Sequence, residues 1–180
     1  MSASAPKGES GLRPRFVVAA AVAALAIASD QISKMWALGA LEEGRPIPLV
    51  GDLLTLQLIR NSGAAFSLGA STTWIFTLLA IVIVAALVVA LFKVSSRRSA
   101  AAIGLLIGGA IGNLIDRLVQ PPAFGRGHVV DFIDYHGFFV GNVADIWIVV
   151  AAAWLAFELT REFPAAPADG GGAETLEDVR

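Results

Sequence analysis

Four long apolar stretches alternate with more polar segments along the chain. They cover residues 16–38, 72–92, 100–118 and 143–159. An α-helix that crosses the hydrocarbon core of a bilayer needs about 17 to 25 predominantly apolar residues, and each stretch has a length in this range. The pattern therefore predicts four transmembrane helices.

In the connection between the first two predicted helices, apolar residues recur at a different spacing. Leucine alternates with threonine and glutamine over residues 54–58, as expected of a half-buried strand. A second apolar run covers Ile47–Val50, and Gly51 and Asp52 between the runs suit a two-residue hairpin turn. We predict an all-α membrane protein with a small β-hairpin between helices 1 and 2, on the extracytoplasmic side.

Glycine recurs at every fourth position in the third predicted helix, at Gly104, Gly108 and Gly112. Small residues at this spacing form a ridge that lets another helix approach closely within a membrane. We therefore expect these glycines to serve helix packing.

Composition agrees with a membrane protein and excludes several functions. Hydrophobic residues make up 56% of the 180 residues and charged residues 16%, far from the average of soluble domains. The absence of cysteine excludes a thiolate nucleophile, a disulfide framework and cysteine metal sites. The net charge of −2 and scattered basic residues give no indication of nucleic-acid binding.

We predict one membrane domain at residues 15–162, between two disordered cytoplasmic tails. The segments 1–14 and 163–180 are rich in Ala, Gly, Pro, Ser and acidic residues, a composition that buries too little apolar surface to fold. The run from Arg15 to Ser29 resembles a secretory signal but lacks a clear cleavage site, so we expect it to remain as a helix.

Basic residues predict the orientation, because loops rich in Lys and Arg stay in the cytoplasm. They precede the first helix and separate the second from the third, which places both termini in the cytoplasm. These residues are Lys7, Arg13, Arg15, Lys93, Arg97 and Arg98.

With this orientation, the polar residues of the spans and loops converge at the extracytoplasmic face. Asp30 follows Arg15 by 15 residues, so a rise of about 1.5 Å per residue places it roughly 22 Å across the bilayer. The same face receives Asn61, Asn113, Asp116, Arg117, His128, Asp131, Asp134, His136, Asn142 and Asp145. Ionisable residues at membrane depth indicate a functional site.

Some of these residues also have structural interpretations. Asp30 and Lys34 are spaced as a favourable helical ion pair, and Asn113 and Arg117 share a helix face. Asp116, next to Arg117, is interpreted as an ion-pair partner that holds the guanidinium.

Two partly buried carboxyl groups could hydrolyse an amide, because one keeps its proton while the other activates water. Asp131 lies within an apolar run and Asp145 at the start of an apolar helix, where desolvation favours the neutral acid. Ser33 and Lys34 point about 100° apart on a helix and cannot form a dyad. The histidines and acids of residues 128–136 match no strong zinc signature, so we expect no metal.

Five motifs, in this order, resemble the bacterial lipoprotein signal peptidase (signal peptidase II) family. They are Asp30–Lys34 (DQISK), Asn61–Phe66 (NSGAAF), Gly112–Leu118 (GNLIDRL), Val129–Ile133 (VVDFI) and Asn142–Asp145 (NVAD). The resemblance implies an intramembrane aspartyl endopeptidase of the bacterial plasma membrane. Such an enzyme removes the signal peptide from diacylglyceryl-modified prolipoproteins by cutting before the lipidated cysteine.

The resemblance also implies roles for individual residues. Asp131 and Asp145 would form the catalytic dyad, without a metal or cofactor. The substrate-binding residues would be Asn61, Asn113, Arg117 and Asn142, supported by Asp30, Lys34 and Asp116. We expect a monomer whose partners are prolipoprotein substrates and membrane lipid, with no nucleic acid.

Two departures from the family pattern concern the site. Gly141 stands where the family usually has Phe, and the segment between Asp131 and Asn142 is short. We expect looser packing over Asp145 and an altered outer flap.

A small transporter or proton relay is the alternative, since intramembrane Asp, Lys and Arg also mark ion pathways. Transporters usually carry inverted repeats and helices broken near the midplane. The sequence has neither feature, and its charges lie at one end of the spans.

Overall fold

The computed structural model describes residues 13–63 and 72–162. Its helices are α1 (Pro14–Ala40), α2 (Thr73–Lys93), α3 (Arg97–Val119) and α4 (Val143–Glu162). They include the four apolar stretches of the sequence except for Thr72, which directly precedes α2. Apart from Arg13 and Pro14, the predicted tails lie outside the described residues.

Three helices, α1, α2 and α3, are long and apolar enough to cross a membrane. The most apolar is α2, in which only Thr73 and Thr77 are buried. A helix that exposes apolar side chains all round needs an apolar surrounding. The chain is therefore a mostly helical membrane protein.

Helices α1 and α3 run parallel, joined along the glycine ridge that the sequence predicts. A Cβ atom at Gly104 would meet backbone atoms of Ala19, and one at Gly108 would lie 2.6 Å from Cβ of Ala26. A Cβ at Gly112 would lie 2.5 Å from Oδ2 of Asp30. Glycine therefore permits the close approach that brings the polar ends of α1 and α3 together.

Helix α4 runs antiparallel to both and closes the bundle. Its first turn lies against Gly109, where a Cβ atom would be 2.8 Å from the carbonyl oxygen of Ala144. One turn further, the indole Nε1 of Trp147 donates a 2.9 Å hydrogen bond to Oγ of Ser29. The start of α4 thereby lies beside the polar end of α1.

A four-stranded antiparallel sheet lies at this polar end, in the order β1-β2-β3-β4. Strands β1 (Ile47–Val50) and β2 (Leu54–Asn61) form the predicted hairpin. The turn has three residues rather than two, because Val50 pairs with Leu54 and Gly51 adopts a positive φ of 50°.

The sequence prediction missed the other half of the sheet. Residues 129–134, for which no strand was predicted, form β3 (Val129–Asp134), which pairs with β2 and with the short β4 (Val140–Gly141). The first four residues of β3 are all buried. A strand buried on both faces has no alternating pattern, so the signal that identified β2 was absent.

The sheet packs on the end of α1 through a small apolar core. Leu58, Val130 and Phe132 lie against Ala37 and Leu41, all of them buried. This core fixes β2 and β3 above the helix ends, with Asn61 and Asp131 at the border between sheet and bundle.

The glycine ridge gives a stability prediction. Gly104→Ala should lower the free energy of unfolding by about 1 to 3 kcal/mol, because the new methyl group has no room against the backbone of α1. Thermal unfolding in detergent would measure the change.

The matched control is Gly39→Ala, also within a helix, where nothing lies within 4 Å of the new Cβ atom. There alanine should be neutral or stabilising, because it reduces the entropy of the unfolded chain. Equal melting temperatures for the two variants would contradict the packing of α1 on α3.

Candidate active site

The centre of the polar end is a buried lysine between two buried aspartates. Nζ of Lys34 lies 2.9 Å from Oδ2 of Asp30 and 2.8 Å from Oδ2 of Asp116. The three side chains are at most 2% exposed. The predicted pairing of Asp30 with Lys34 is present.

The interpretation of Asp116 as the partner of Arg117 is wrong. Asp116 forms its ion pair with Lys34 instead, and its Oδ1 accepts a 3.3 Å hydrogen bond from Gln31. Neighbouring residues on a helix point about 100° apart, so Asp116 faces α1 while Arg117 faces the cavity described below.

The same two carboxylates also hold backbone groups next to the candidate catalytic residues. Asp30 accepts a 2.9 Å hydrogen bond from the backbone N–H of Ala144, and Asp116 accepts a 3.0 Å bond from that of Val130. The residues that follow are Asp145 and Asp131. The Lys34 cluster (Asp30, Lys34 and Asp116) thus fixes the backbone of both.

Asp145 lies in the first turn of α4, where Asn142 caps the helix. The backbone N–H of Asn142 donates to Oδ2 of Asp145 at 3.0 Å, and the backbone N–H of Asp145 donates to Oδ1 of Asn142 at 3.2 Å. This reciprocal pair is a capping box. Oδ1 of Asp145 accepts a further 2.9 Å bond from Asn113.

Asp131 is buried on β3 and receives two side-chain amides. Nδ2 of Asn61 donates to its Oδ2 at 2.8 Å, and Nδ2 of Asn142 donates to its Oδ1 at 2.6 Å. Asn142 therefore donates to both carboxyl groups, to that of Asp131 through its side-chain amide and to that of Asp145 through its backbone N–H.

Asn113 connects the carboxyl groups to the Lys34 cluster. Its Oδ1 accepts from Nζ of Lys34 at 2.9 Å and from Asn142 at 3.1 Å. Because an ammonium group can only donate, Oδ1 must face Lys34. This leaves Nδ2 directed at Asp145.

The environment of Asp131 raises its pKa to about 6 from the ordinary value of 3.8. Burial is the largest cause, since it disfavours the charged form. The hydrogen bonds from Asn61 and Asn142 oppose the shift, while the nearby charge of Asp145 adds to it. Asp131 thus exchanges its proton near neutral pH, as a general acid or base must.

Both carboxyl groups line a cavity of about 250 Å³. Asn61, Asn113 and Arg117 line the same space. The guanidinium of Arg117 lies 5.3 Å from the ring centre of Phe76, and its buried Nη1 has no hydrogen-bond partner among the described residues. The cavity therefore combines two acids with a guanidinium group.

The other candidate groups do not gather there. His136 contacts the backbone oxygen of Asp52 at 2.8 Å in the hairpin turn, and the hydroxyl of Ser33 donates to the backbone oxygen of Asp30 at 2.7 Å. Within residues 13–63 and 72–162, no group of three or more His, Asp or Glu is placed to hold a metal ion.

The sequence analysis missed the aromatic residues around Asp145. Tyr135 and Phe139 stack with ring centres 4.9 Å apart and planes at 6°. The expected looseness at Gly141 is wrong, because a Cβ atom there would lie 2.6 Å from the ring of Phe139 and 2.8 Å from Oδ2 of Asp145. The sequence signal for this contact was the position of an aromatic residue, Phe139, two residues before Gly141.

Fold and site together define a helical membrane protein with two carboxyl groups in one cavity, an arrangement suited to aspartyl hydrolysis. The signal peptidase (SPase) II family matches residues 22–161. The chain belongs to this family of peptidases.

Curated relatives agree over most of the chain. It is 43% identical over 169 residues to a lipoprotein signal peptidase of Bifidobacterium adolescentis, covering 93% of this chain and 90% of that one. It is 40% identical to the lipoprotein signal peptidase of Mycobacterium avium, covering 84% and 82% of the two chains.

Solved structures support the same fold. One, described as a bacterial membrane enzyme solved by the in meso method at 1.9 Å resolution, is 27% identical with a TM-score of 0.69. The match covers 81% of this chain and 94% of that one.

The Lys34 cluster gives a second stability prediction. Lys34→Met should destabilise the fold by roughly 3 to 5 kcal/mol, because two buried carboxylates lose their common cation. Resistance to proteolysis and thermal unfolding in detergent would both measure the loss.

The control is Arg45→Met, which removes an ion pair with Glu42 whose side chains are 78% and 68% exposed. Exposed pairs contribute little, so the melting temperature should hardly change. A Lys34→Met variant as stable as this control would contradict the role of the cluster.

Proposed function

We propose that this protein removes signal peptides from diacylglyceryl-modified prolipoproteins and cuts immediately before the lipidated cysteine. Asp131 and Asp145 act as the catalytic dyad, with no metal or cofactor. The observation that carries the proposal is the pair of carboxyl groups in one cavity, in a chain of the signal peptidase II family.

Asp131 is the member of the pair that enters the reaction protonated. Its burial raises its pKa to about 6. Asp145 lies at the N-terminus of α4 and accepts two donors, and the positive end of a helix stabilises an anion there.

Hydrolysis then needs only these two groups and water. Asp145 takes a proton from water as the oxygen attacks the peptide carbonyl carbon, and Asp131 gives its proton to the carbonyl oxygen. Collapse of the resulting diol breaks the C–N bond. The proton held by Asp145 passes to the leaving amine, and Asp131 regains its proton from the diol.

Arg117 binds the substrate backbone. Nη1 of Arg117 is a buried donor without a partner in the described part of the chain, and such a group is costly unless a ligand satisfies it. Peptide carbonyl oxygens supply the acceptors. Asn61, Asn113 and Asn142 already donate hydrogen bonds to the dyad and position it.

All four helices cross the bilayer, with both termini in the cytoplasm and the sheet on the extracytoplasmic side. The basic residues at the opposite end from the sheet support this orientation. The substrate enters sideways from the bilayer. Within the described residues, one chain supplies both acids and the donors bound to them, so a monomer is sufficient.

The arrangement of charges argues against a transporter or proton relay. No ionisable residue lies within 16–29, 73–92, 99–115 or 146–157. A proton path across the bilayer needs polar or ionisable side chains at these depths. The carboxyl groups of the site lie toward one face of the membrane instead.

Asp131→Asn and Asp145→Asn should each reduce cleavage of a purified diacylglyceryl prolipoprotein peptide in detergent by at least about 1,000-fold, since each removes a proton-transfer group. Cleavage by the unmodified protein should persist in the presence of chelator. Product formation followed by mass spectrometry, which also locates the cut, measures both effects.

Asp52→Asn, in the exposed hairpin turn, is the control and should cleave normally. If both dyad variants cleave at the normal rate, the aspartyl mechanism is wrong. If the unmodified protein leaves every lipidated substrate intact, the proposed activity itself is wrong.

The pKa of Asp131 predicts the pH dependence. A rise in pH through about 6 removes the proton that the mechanism needs, so kcat/KM should fall on the alkaline side. Asn61→Ala should move this fall to higher pH, because its hydrogen bond favours the ionised form of Asp131 and lowers the pKa.

Profiles of kcat/KM against pH would test this, with Gln57→Ala on the same strand as the control. A fall that moves to lower pH in Asn61→Ala, or an equal shift in both variants, would contradict the assignment of the proton to Asp131.

A further inference from the structure

A second cavity of about 290 Å³ lies beside the catalytic one. Tyr135, Phe139, Asp145, Ile146, Val149 and Val150 line it. Apart from the edge of Asp145 and the phenol of Tyr135, these side chains are apolar. The cavity has the character of a site for a hydrocarbon group.

The two cavities share the walls formed by Phe139 and Asp145. The ring of Phe139 therefore stands between the polar space, where the dyad lies, and the apolar space along α4. A group in the apolar cavity would lie next to Asp145. Because Asp145 belongs to the proposed dyad, such a group would also lie close to the bond being cut.

Gly141 allows the ring to occupy this position. A Cβ atom there would lie 2.6 Å from the ring of Phe139, so any larger residue would push the ring away. Stacking on Tyr135 holds the ring from the other side. Phe139 is nevertheless 52% exposed, which leaves it room to move when a ligand arrives.

The apolar cavity continues onto the outer surface of α4. Val149 and Val150 are 67% and 45% exposed, and they follow Asp145 by about one helical turn toward the middle of the span. In a membrane protein, exposed valines on a helix face lipid. The cavity therefore extends from Asp145 to exposed apolar side chains of α4.

We propose that this cavity binds one acyl chain of the substrate's diacylglyceryl group and that Phe139 is a specificity-determining residue for it. The inference rests on the proposed function. An acyl chain fits because it is apolar along its whole length and must extend from the lipidated cysteine into the bilayer. A side chain of the signal peptide is the competing occupant.

The test compares two prolipoprotein peptides that differ only in acyl length, for example decanoyl and palmitoyl. Phe139→Ala should raise KM for the long-chain peptide by about tenfold, because an apolar wall is lost. The value of kcat should stay within about twofold, and the short-chain peptide should be affected less. The control is Phe138→Ala, whose ring is 88% exposed and lines neither cavity.

A second variant fills the cavity instead of opening it. Val149→Trp should raise KM for the long-chain peptide more than for the short-chain one. Val89→Trp, at a 55% exposed position on α2, should have no such effect. Agreement between the two approaches would identify the cavity as the acyl site.

Three results would overturn the inference. Phe139→Ala could change both peptides equally, or it could resemble Phe138→Ala. In a second pair of peptides that differ only in the residue before the cysteine, its effect could follow that residue rather than acyl length. The last result would assign the cavity to the signal peptide. In each case the unmodified protein would still cleave, which separates this failure from that of the proposed function.

Discussion

The ion pairs of Lys34 with Asp30 and Asp116 are the constraint on which the rest of the site depends. Three ionisable groups that are almost completely buried are costly to desolvate, and their attraction offsets this cost only in a fixed geometry. The remaining acceptor capacity of the carboxylates goes to the backbone N–H groups of Val130 and Ala144. The ion cluster is therefore also the joint between α1, α3, β3 and α4.

Much of this arrangement was accessible from the sequence, where a local pattern carried the information. Helices were predictable because lipid demands long apolar spans. The β1–β2 hairpin was predictable because leucine alternates with polar residues at the start of β2, and Leu56 and Leu58 pack on the core at the end of α1. The i to i+4 spacing of Asp30 and Lys34 predicted their ion pair, and the spacing of the α3 glycines predicted a close helix contact.

Other features depend on contacts between distant segments and have no local signal. β3 is buried on both faces, so its sequence does not alternate. Asp116 pairs across the bundle with Lys34 rather than with its neighbour Arg117. The effect of Gly141 depends on Phe139, which reaches back from the preceding loop. In each case the missing information was which residues of a distant segment lie opposite in the folded protein.

The choice of partners explains why one set of carboxyl groups holds the fold while the other remains available for chemistry. Asp30 and Asp116 share the ammonium group of Lys34 as their ion-pair partner. Asp131 and Asp145 receive their side-chain hydrogen bonds from Asn61, Asn113 and Asn142, all neutral amides. An amide is neutral, so it orients a carboxyl group without forming an ion pair with it. Asn113 joins the two sets, since its oxygen faces Lys34 and its nitrogen faces Asp145. The lysine thus orients the reactive pair through Asn113, which is neutral. The proton of the reactive pair remains free to move.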